Sequence, residues 1–300
     1  MQILSPRAVP LGGLRAMTVR RTLPQRQRTF VGAWCFVDHY GPDQVNGHGG
    51  MVVPPHPHTG LQTVSWLFSG EIEHRDSAGH QALVIPGEVN LMTAGRGISH
   101  SEYSTSGTTT LHGAQLWLAL PDSARHTEPT FEHFAPDPIG GNGWEARVFL
   151  GSLLGSSSPV RTFTPLLGAE LRLRAGTVLR IPVDPAFEHG ILLDSGALTV
   201  NGEKLAVDDL GYLEPGAEEI ELVAGEDVLL LLLGGTPFGE QIVMWWNFIG
   251  RSHEEVVEYR TQWQSLIEGD GSDRFSMPPG DLMPPIPAPV LPNVRMVRRG

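Results

Sequence analysis

The chain has one cysteine, Cys35, among its 300 residues, so no intrachain disulfide is possible. Cysteine scarcity predicts a reducing, cytoplasmic setting, and the apolar neighbours of Cys35 favour a buried, inert thiol. Long hydrophobic runs are also missing: the longest, at residues 228–233, is far short of the ~18 apolar residues of a membrane span. It fits a buried strand. Proline and arginine interrupt the first fifteen residues, which argues against a secretory signal.

Basic residues are outnumbered, with 21 Lys and Arg against 33 Asp and Glu and a formal net charge of −12. Phosphate binding draws on clustered cations, so this balance argues against direct nucleic-acid contact and leaves protein partners open. The one basic cluster, at residues 15–28, is expected to be a solvated arm. It includes Arg20, Arg21, Arg26 and Arg28.

Glycine and proline are abundant, at 36 and 25 residues, whereas charged residues make up only 18%. This composition favours a turn-rich β protein over a helical bundle. A chain of this length can form one large or two ordinary domains, each with its own core.

Two short motifs carry the chemistry: a His-x-His pair at His56 and His58, and a His-x-Glu pair at His100 and Glu102. Residues two apart in a strand point to the same face, so two such strands can present four ligands. Three imidazoles and one carboxylate suit iron, zinc, manganese, nickel or copper better than calcium or magnesium. A single His-x-His pair also arises by chance in a chain with twelve histidines. Short strand and turn signals between residues 63 and 87 allow the two pairs to meet in one barrel.

The remaining histidines of this half have simpler interpretations. His48 lies among glycines and is expected to be a loop residue, and His74 and His80 are assigned to a hairpin edge. His39 and His112 are either partners for the outer nitrogens of metal-bound imidazoles or ordinary core histidines. Because ordinary imidazoles protonate near neutrality, the sequence predicts that metal affinity falls towards about pH 6.

Four segments resemble the pirin family of the cupin superfamily: RTLPQRQRTFVGAWCFVDHYGP, PPHPHTGLQTVSWLFSGEIEHRDS, PGEVNLMTAGRGISHSE and HGAQLWLALP. The resemblance covers roughly residues 15–135 and continues more weakly to the C-terminus. It implies a bicupin whose N-terminal domain holds Fe(II) through His56, His58, His100 and Glu102. Gln62 departs from the glutamate that many pirins have there, which is expected to alter the surroundings of the metal without removing a ligand.

The expected fold is all-β, with two tandem cupin barrels of the jelly-roll type and a short C-terminal helix. The expected divisions are an N-terminal metal-binding cupin domain (1–135), a linker (136–160), a degenerate cupin domain with the helix (161–268) and a Pro/Gly-rich tail (269–300).

The second half repeats the strand pattern of the first without its ligands. His189 is the one histidine near the position of the first ligand strand, so this barrel is expected to be structural or an interaction surface. A capping box, Ser252 with Glu255, predicts the start of the helix. The tail is either disordered or laid across the barrels, and its resemblance to bacterial pirin tails favours docking.

The resemblance implies a metal-dependent dioxygenase that opens a flavonol such as quercetin with O2. Glu102 is expected to bind the metal and to accept the proton of a substrate hydroxyl. The alternative is a non-enzymatic, iron- or redox-sensitive module that regulates transcription factors or metabolic enzymes through protein contacts. A metal-assisted hydrolase or isomerase would share the same ligands, but the chain has no Gly-x-Ser-x-Gly motif to support it.

Overall fold

Short runs of branched and aromatic residues between glycine and proline turns form strands throughout the chain. The computed structural model describes residues 1–11, 17–45 and 50–300, so the loop predicted around His48 lies outside the described residues. The strands build two antiparallel barrels, each with one seven-stranded and one four-stranded sheet. The all-β prediction with a C-terminal helix is therefore confirmed.

The first twelve strands include those of the N-terminal barrel. They are β1 (Gln2–Leu4), β2 (Arg7–Pro10), β3 (Thr18–Leu23), β4 (Trp34–Gln44), β5 (Val52–His58), β6 (Leu61–Ser69), β7 (Ile72–Asp76), β8 (Gln81–Val84), β9 (Val89–Thr93), β10 (Ile98–Ser104), β11 (Thr110–Ala119) and β12 (Thr130–Phe134). One sheet has the order β12-β9-β6-β11-β4-β3-β2, and the other has the order β5-β10-β7-β8.

The remaining strands include those of the C-terminal barrel. They are β13 (Ile139–Gly141), β14 (Trp144–Leu150), β15 (Ser152–Leu153), β16 (Ser156–Ser157), β17 (Leu166–Leu173), β18 (Val178–Pro182), β19 (Glu188–Ser195), β20 (Leu198–Val200), β21 (Glu203–Leu205), β22 (Leu210–Leu213), β23 (Glu219–Ala224), β24 (Val228–Gly235), β25 (Val243–Trp245) and β26 (Phe248–Gly250). Its sheets have the orders β1-β22-β19-β24-β17-β14-β13 and β18-β23-β20-β21, while β15-β16 and β25-β26 form separate hairpins.

The structure departs from the expected domain divisions at two places. Strand β1 pairs with β22, so the first residues of the chain complete the second barrel. The segment expected as a linker, 136–160, contains β13 to β16, and β14 joins the second barrel because Ala146 and Val148 are buried against β17. Gly140 and Gly141 end β13, and Asn142 and Gly143 form the hairpin turn to β14. We propose that the second domain begins near residue 139 and includes β1.

The two barrels share one continuous hydrophobic core. Trp34 of β4 is fully buried, and its indole N–H donates to the carbonyls of Leu167 and Gly234 at 3.1 and 3.2 Å. Trp66 of β6 donates to a carboxylate oxygen of Glu170 at 2.8 Å. Both large rings bury their apolar surface at the interface while their N–H groups stay satisfied, as buried tryptophans require.

The predicted helix is α1 (His253–Glu268). The Ser252 hydroxyl accepts from the backbone N–H of Glu255 at 3.2 Å, which confirms the capping box. Val256, Tyr259 and Trp263 face inwards. No helix in the described ranges is long and apolar enough to cross a membrane.

The tail after α1 lies extended across the first barrel, which decides between the two alternatives for this segment in favour of docking. The N–H of Ile286 donates to the carbonyl of Pro55 on β5 at 2.8 Å, and its own carbonyl accepts from the indole of Trp263 at 2.9 Å. Tyr103 of β10 donates to Asp281 at 2.8 Å. The tail therefore covers the strands that carry the two histidine motifs.

Arg26 of the basic cluster is exposed, as expected of a solvated arm, but Arg20 and Arg21 are not solvated. Arg21 forms a bidentate ion pair with Asp38 at 2.6 and 2.7 Å, and Arg20 forms an ion pair with Asp208 of the second barrel at 2.9 Å. For these two residues the prediction was wrong, because their acidic partners are distant in sequence. Neighbouring residues of β3 point to opposite faces, so Arg20 and Arg21 serve different sites.

Gly32 provides a test of the barrel interface. Its φ is +55°, and a Cβ there would lie 2.7 Å from Cα of Gly235 in the second barrel. Gly155 has a similar φ of +83° but nothing within 4 Å of its Cβ position. Gly32→Ala should lower the free energy of unfolding by about 2–4 kcal/mol, against about 1 kcal/mol for Gly155→Ala. Thermal unfolding would measure both, and equal effects would contradict the close approach of the barrels.

Candidate metal centre

The two motifs predicted from the sequence meet on adjacent strands of the four-stranded sheet. Strand β5 lies at its edge, where its prolines interrupt no ladder. In the antiparallel register of β10 with β5, His100 lies opposite His56 and Ile98 opposite His58. The ring centroids of His100 lie 4.4 Å from His56 and 4.9 Å from His58. All three side chains are buried, at 7% exposure or less.

The three imidazoles present their nitrogens to one point. The Nε2 atoms of His58 and His100 are 3.1 Å apart, and His56 contributes a third ligand atom within 4.8 Å of both. Two nitrogens bound to one ion at ordinary metal–nitrogen lengths lie about 3.0–3.4 Å apart. The Nδ1 of His56 donates to the carbonyl of Pro54 at 2.9 Å, which leaves its Nε2 lone pair for the ion. These residues therefore form a histidine-rich cluster that fits a first-row metal.

Glu102 joins this cluster from one side. A β-bulge between His100 and Glu102 shifts its pairing with β5, and its carboxylate groups with His74 and His100. The Ser65 hydroxyl lies 3.4 Å from Oε1. All four residues predicted as ligands line the same cavity, but the carboxylate is close to one of the three imidazoles rather than to all.

His74 is the site residue that the sequence pattern did not identify. It was assigned to a hairpin edge, but β7 pairs with β10 so that His74 lies opposite Glu102, and its side chain is buried. Its Nδ1 lies 3.3 Å from Nδ1 of His100, and its Nε2 lies 3.5 Å from Asp76. If Nε2–H points to Asp76, Nδ1 accepts from His100 and leaves Nε2 of His100 free to bind a metal. The His-x-Asp pair at positions 74 and 76 is the sequence feature that could have identified His74 as a site residue.

Burial controls the protonation of the cluster. It lowers the pKa of His56 to about 4 and holds the pKa values of His58 and His100 well below their usual range, and neighbouring imidazoles add to the effect. Burial also raises the pKa of Glu102, although His74 and Ser65 oppose it. The histidines thus stay in the neutral, ligating form at lower pH than free imidazoles. The expected loss of metal towards pH 6 is therefore corrected to a more acidic range.

A cavity of about 410 Å³ opens in front of the cluster. The rings of Phe36 and Trp117 stack at 3.9 Å and 10° on one wall, and Trp117 also meets His58 edge to face at 5.1 Å. The Arg21–Asp38 pair and Gln115 supply polar groups on the same cavity. The C-terminal part of the chain completes it with Met244, Trp246, Asn247 and Ile286.

Three other predicted residues lie away from the cluster. His39 and His112 bond Asp194 of the second barrel, so of the two alternatives for them the structure excludes partnership with the metal-bound imidazoles. Successive residues of a strand face opposite sides, so His39 faces away from the cavity that its neighbour Asp38 lines. Gln62 is buried, donates to the Thr93 hydroxyl at 2.9 Å and is not among the residues that line the cavity.

Comparisons with family models and with known proteins indicate the same family. The model of the family described as Pirin matches residues 15–118, and that of the Pirin C-terminal cupin domain matches residues 168–267. A Pseudomonas aeruginosa protein, whose name assigns it provisionally as a quercetin 2,3-dioxygenase, is 43% identical over 275 residues, covering 90% of this chain and 84% of that protein. A pirin-like protein of Caulobacter vibrioides is 35% identical over 82% of this chain and 88% of its own length.

Two solved structures are similar as well. The crystal structure of a quercetin 2,3-dioxygenase from Acinetobacter baumannii has a TM-score of 0.91 and 40% identity, covering 98% of this chain and 97% of that one. A bacterial pirin from Escherichia coli, solved with nickel(II), has a TM-score of 0.62 at 20% identity and covers 79% of this chain and 100% of its own. Because the sequence identity is low, the similarity to the Escherichia coli pirin shows only a shared fold.

The lowered pKa values predict how metal binding responds to pH. The affinity of the metal-free protein for Zn2+ should change by less than about tenfold between pH 7.0 and 5.5, because the histidines are neutral throughout that range. Three imidazoles with ordinary pKa values near 6.5 would lose roughly 500-fold over the same interval. Titration calorimetry in non-coordinating buffers measures this difference, and a loss of several hundredfold would show that the cluster is not buried as described.

His74 should matter for metal affinity although it is not a predicted ligand. His74→Ala removes the acceptor for Nδ1–H of His100 and should weaken Zn2+ binding by about 10–100-fold. His74→Asn, whose amide oxygen can replace Nδ1 as the acceptor, should restore most of it. The matched control is His133→Ala, a 44% exposed histidine that pairs with Glu88 in the same barrel. Unchanged affinity in a folded His74→Ala protein would refute the orienting role.

Proposed function

Because the chain belongs to the pirin family, we propose that it is a metal-dependent dioxygenase that opens a flavonol such as quercetin with O2. One observation carries this proposal: a buried cluster of neutral imidazoles, with a carboxylate beside it, faces a cavity with an aromatic wall. The names of the relatives from Pseudomonas aeruginosa and Acinetobacter baumannii support the same reaction.

His56, His58, His100 and Glu102 are the proposed metal ligands. Three imidazoles and one carboxylate accept iron, zinc, manganese, nickel or copper, and Fe(II) is the proposed native ion because the reaction consumes O2. When bound, such an ion supplies a Lewis acid for a substrate oxygen and a redox centre for O2. The nickel(II) of the Escherichia coli pirin belongs to a distant relative and leaves the native metal here open to test.

Glu102 is the proposed proton acceptor for the substrate hydroxyl. Burial raises the pKa of its carboxyl group, which makes the carboxylate a stronger base than an exposed one. The Ser65 hydroxyl, 3.4 Å from Oε1, and the neighbouring His74 hold the carboxylate in place. One of its oxygens can bind the metal while the other accepts the proton.

The cavity suits a flat aromatic molecule. Its volume of about 410 Å³ lies in the usual range for small-molecule sites, ~300–1,000 Å³. Phe36 and Trp117 make part of the lining aromatic and apolar, and Gln115 and the Arg21–Asp38 pair can bond peripheral hydroxyl groups. Tail residue Ile286 and the hairpin residues Trp246 and Asn247 close the other side and restrict access of water.

Oxygen uptake tests the proposal. The protein is loaded with Fe(II) without air, and O2 consumption and quercetin absorbance are followed together after both are added. The account predicts uptake matched one to one by loss of quercetin. Metal-free protein should show none, and iron-loaded Glu102→Gln should show a decrease of at least about 100-fold, in the range of a lost general base.

Fully iron-loaded protein that consumes no O2 with quercetin would contradict flavonol opening. The alternative function, an iron- or redox-sensitive protein-interaction module, would then be preferred. For such a module, capture of a protein partner should depend on the iron state and should survive Glu102→Gln.

A further inference from the structure

A second cluster of ionisable side chains lies where the two barrels meet, away from the metal centre. His39 of β4 and His112 of β11 come from the first barrel, and Asp194 of β19 and Asp208 of the turn before β22 come from the second. One oxygen of Asp194 lies 2.7 Å from Nε2 of His39 and 2.5 Å from Nε2 of His112. Asp208 lies 3.3 Å from Nδ1 of His39.

Both ring nitrogens of His39 face carboxylate oxygens. A neutral imidazole has a single N–H, so it can donate to Asp194 or to Asp208 but not to both. The charged imidazolium has two N–H groups and satisfies both carboxylates. Because the His39 side chain is only 1% exposed, water offers no substitute partner, and Nδ1 of a neutral ring would face a nitrogen of the Arg20 guanidinium at 3.3 Å instead of bonding Asp208.

The charges of the cluster balance with one added proton. Asp194 and Asp208 contribute two negative charges and Arg20, bonded to Asp208, contributes one positive charge. One imidazolium, on His39, balances these charges. His39 and Asp194 are buried, so an uncompensated charge on either of them would be strongly unfavourable.

The carboxylates favour the charged form of His39. Burial opposes a charge on His39, and Arg20 does so too, but the hydrogen bonds to Asp194 and Asp208 outweigh them and raise the pKa of His39. The hydrogen bond from His39 lowers the pKa of Asp208 in turn, and those from His112 and His39 lower the pKa of Asp194 despite its burial.

His39, His112 and Asp194 also have the composition of a metal site, with ligand atoms within 4.8 Å of one another. The nitrogen–oxygen distances of 2.7 and 2.5 Å are those of hydrogen bonds, whereas atoms that share an ion lie about 3.0–3.4 Å apart. The geometry therefore points to a proton at this position.

We propose that protonated His39 clamps the two barrels together between Asp194 and Asp208, and that the interface loosens when this proton is lost. The clamp shares its strands with the metal cavity. Arg20 and His39 are register partners on the interface side of β3 and β4, while their neighbours Arg21 and Asp38 are paired at the cavity. Loss of the proton thus acts on the two strands that carry the polar wall of the cavity.

The direction of the pH effect follows from the raised pKa. The clamp contributes fully below about pH 6.5, the usual value for an unfolded histidine, and its contribution disappears as the pH rises through the higher value in the folded protein. Buried neutral histidines such as His56 have the opposite effect, because they destabilise the folded protein as the pH falls.

The test compares thermal unfolding of metal-free wild-type protein and His39→Gln at pH 6 and pH 9. Glutamine keeps a donor at the Nε2 position but cannot take a proton. His39→Gln should lower Tm by at least 5 °C at pH 6, with the deficit at least halved at pH 9. The control His133→Gln, at an exposed histidine–glutamate pair in the same barrel, should change Tm by less than 1 °C at both values. A deficit that is the same at both pH values would overturn the proposal.

A second measurement does not depend on the folding of that variant. In protein with 15N-labelled histidine, both ring nitrogens of His39 should give imidazolium shifts at pH 6, and Asp208→Asn should move the titration midpoint down by at least one pH unit. A neutral His39 at pH 6 would refute the clamp. So would a second equivalent of Zn2+ that wild-type protein binds and Asp194→Asn does not, since the cluster would then be a metal site.

Discussion

The first barrel depends on one constraint, the burial of three uncharged imidazoles in a single interior. Burial keeps His56, His58 and His100 neutral, which leaves an unshared electron pair on each ring available for a metal ion. The rest of the local structure serves this arrangement. The prolines of β5 are tolerated because the strand lies at a sheet edge, and the C-terminal tail covers that edge through Ile286. The second barrel contributes no ligand, but the chain that follows it closes the cavity.

The proposed metal ligands all belong to the first barrel, but the two barrels pack closely against each other. Trp34 and Trp66 bury their rings between them, and the strands that pack on the second barrel also carry the cavity wall on their other face. Because successive side chains of a strand face opposite sides, Asp38 of β4 faces the cavity and His39 faces the interface. A change at the interface is therefore one residue away from the cavity. Among the described residues, the second barrel forms no cluster of three ligating side chains of its own, which is compatible with a supporting role.

Local periodicity was enough to predict the strands, the capped helix at Ser252 and the two ligand motifs, because each depends on residues within a few positions of one another. The features that were missed depend on register between distant segments. His74 lies beside the cluster only because β7 pairs with β10, and Arg20 and His39 find their acidic partners in the second barrel. The pairing of β1 with β22 crosses more than two hundred residues. Proton affinity was also misjudged from sequence, since it depends on burial that only the assembled barrel creates.

The central claim is that His56, His58, His100 and Glu102 hold one metal ion, and anomalous diffraction from crystals of the iron-loaded protein tests it most directly. Data collected on both sides of the iron absorption edge locate the ion without assumptions about activity. The account predicts one strong anomalous peak about 2.0–2.3 Å from Nε2 of each histidine and from an oxygen of Glu102. A fully loaded crystal whose peak lies elsewhere, for example between His39, His112 and Asp194, would contradict it.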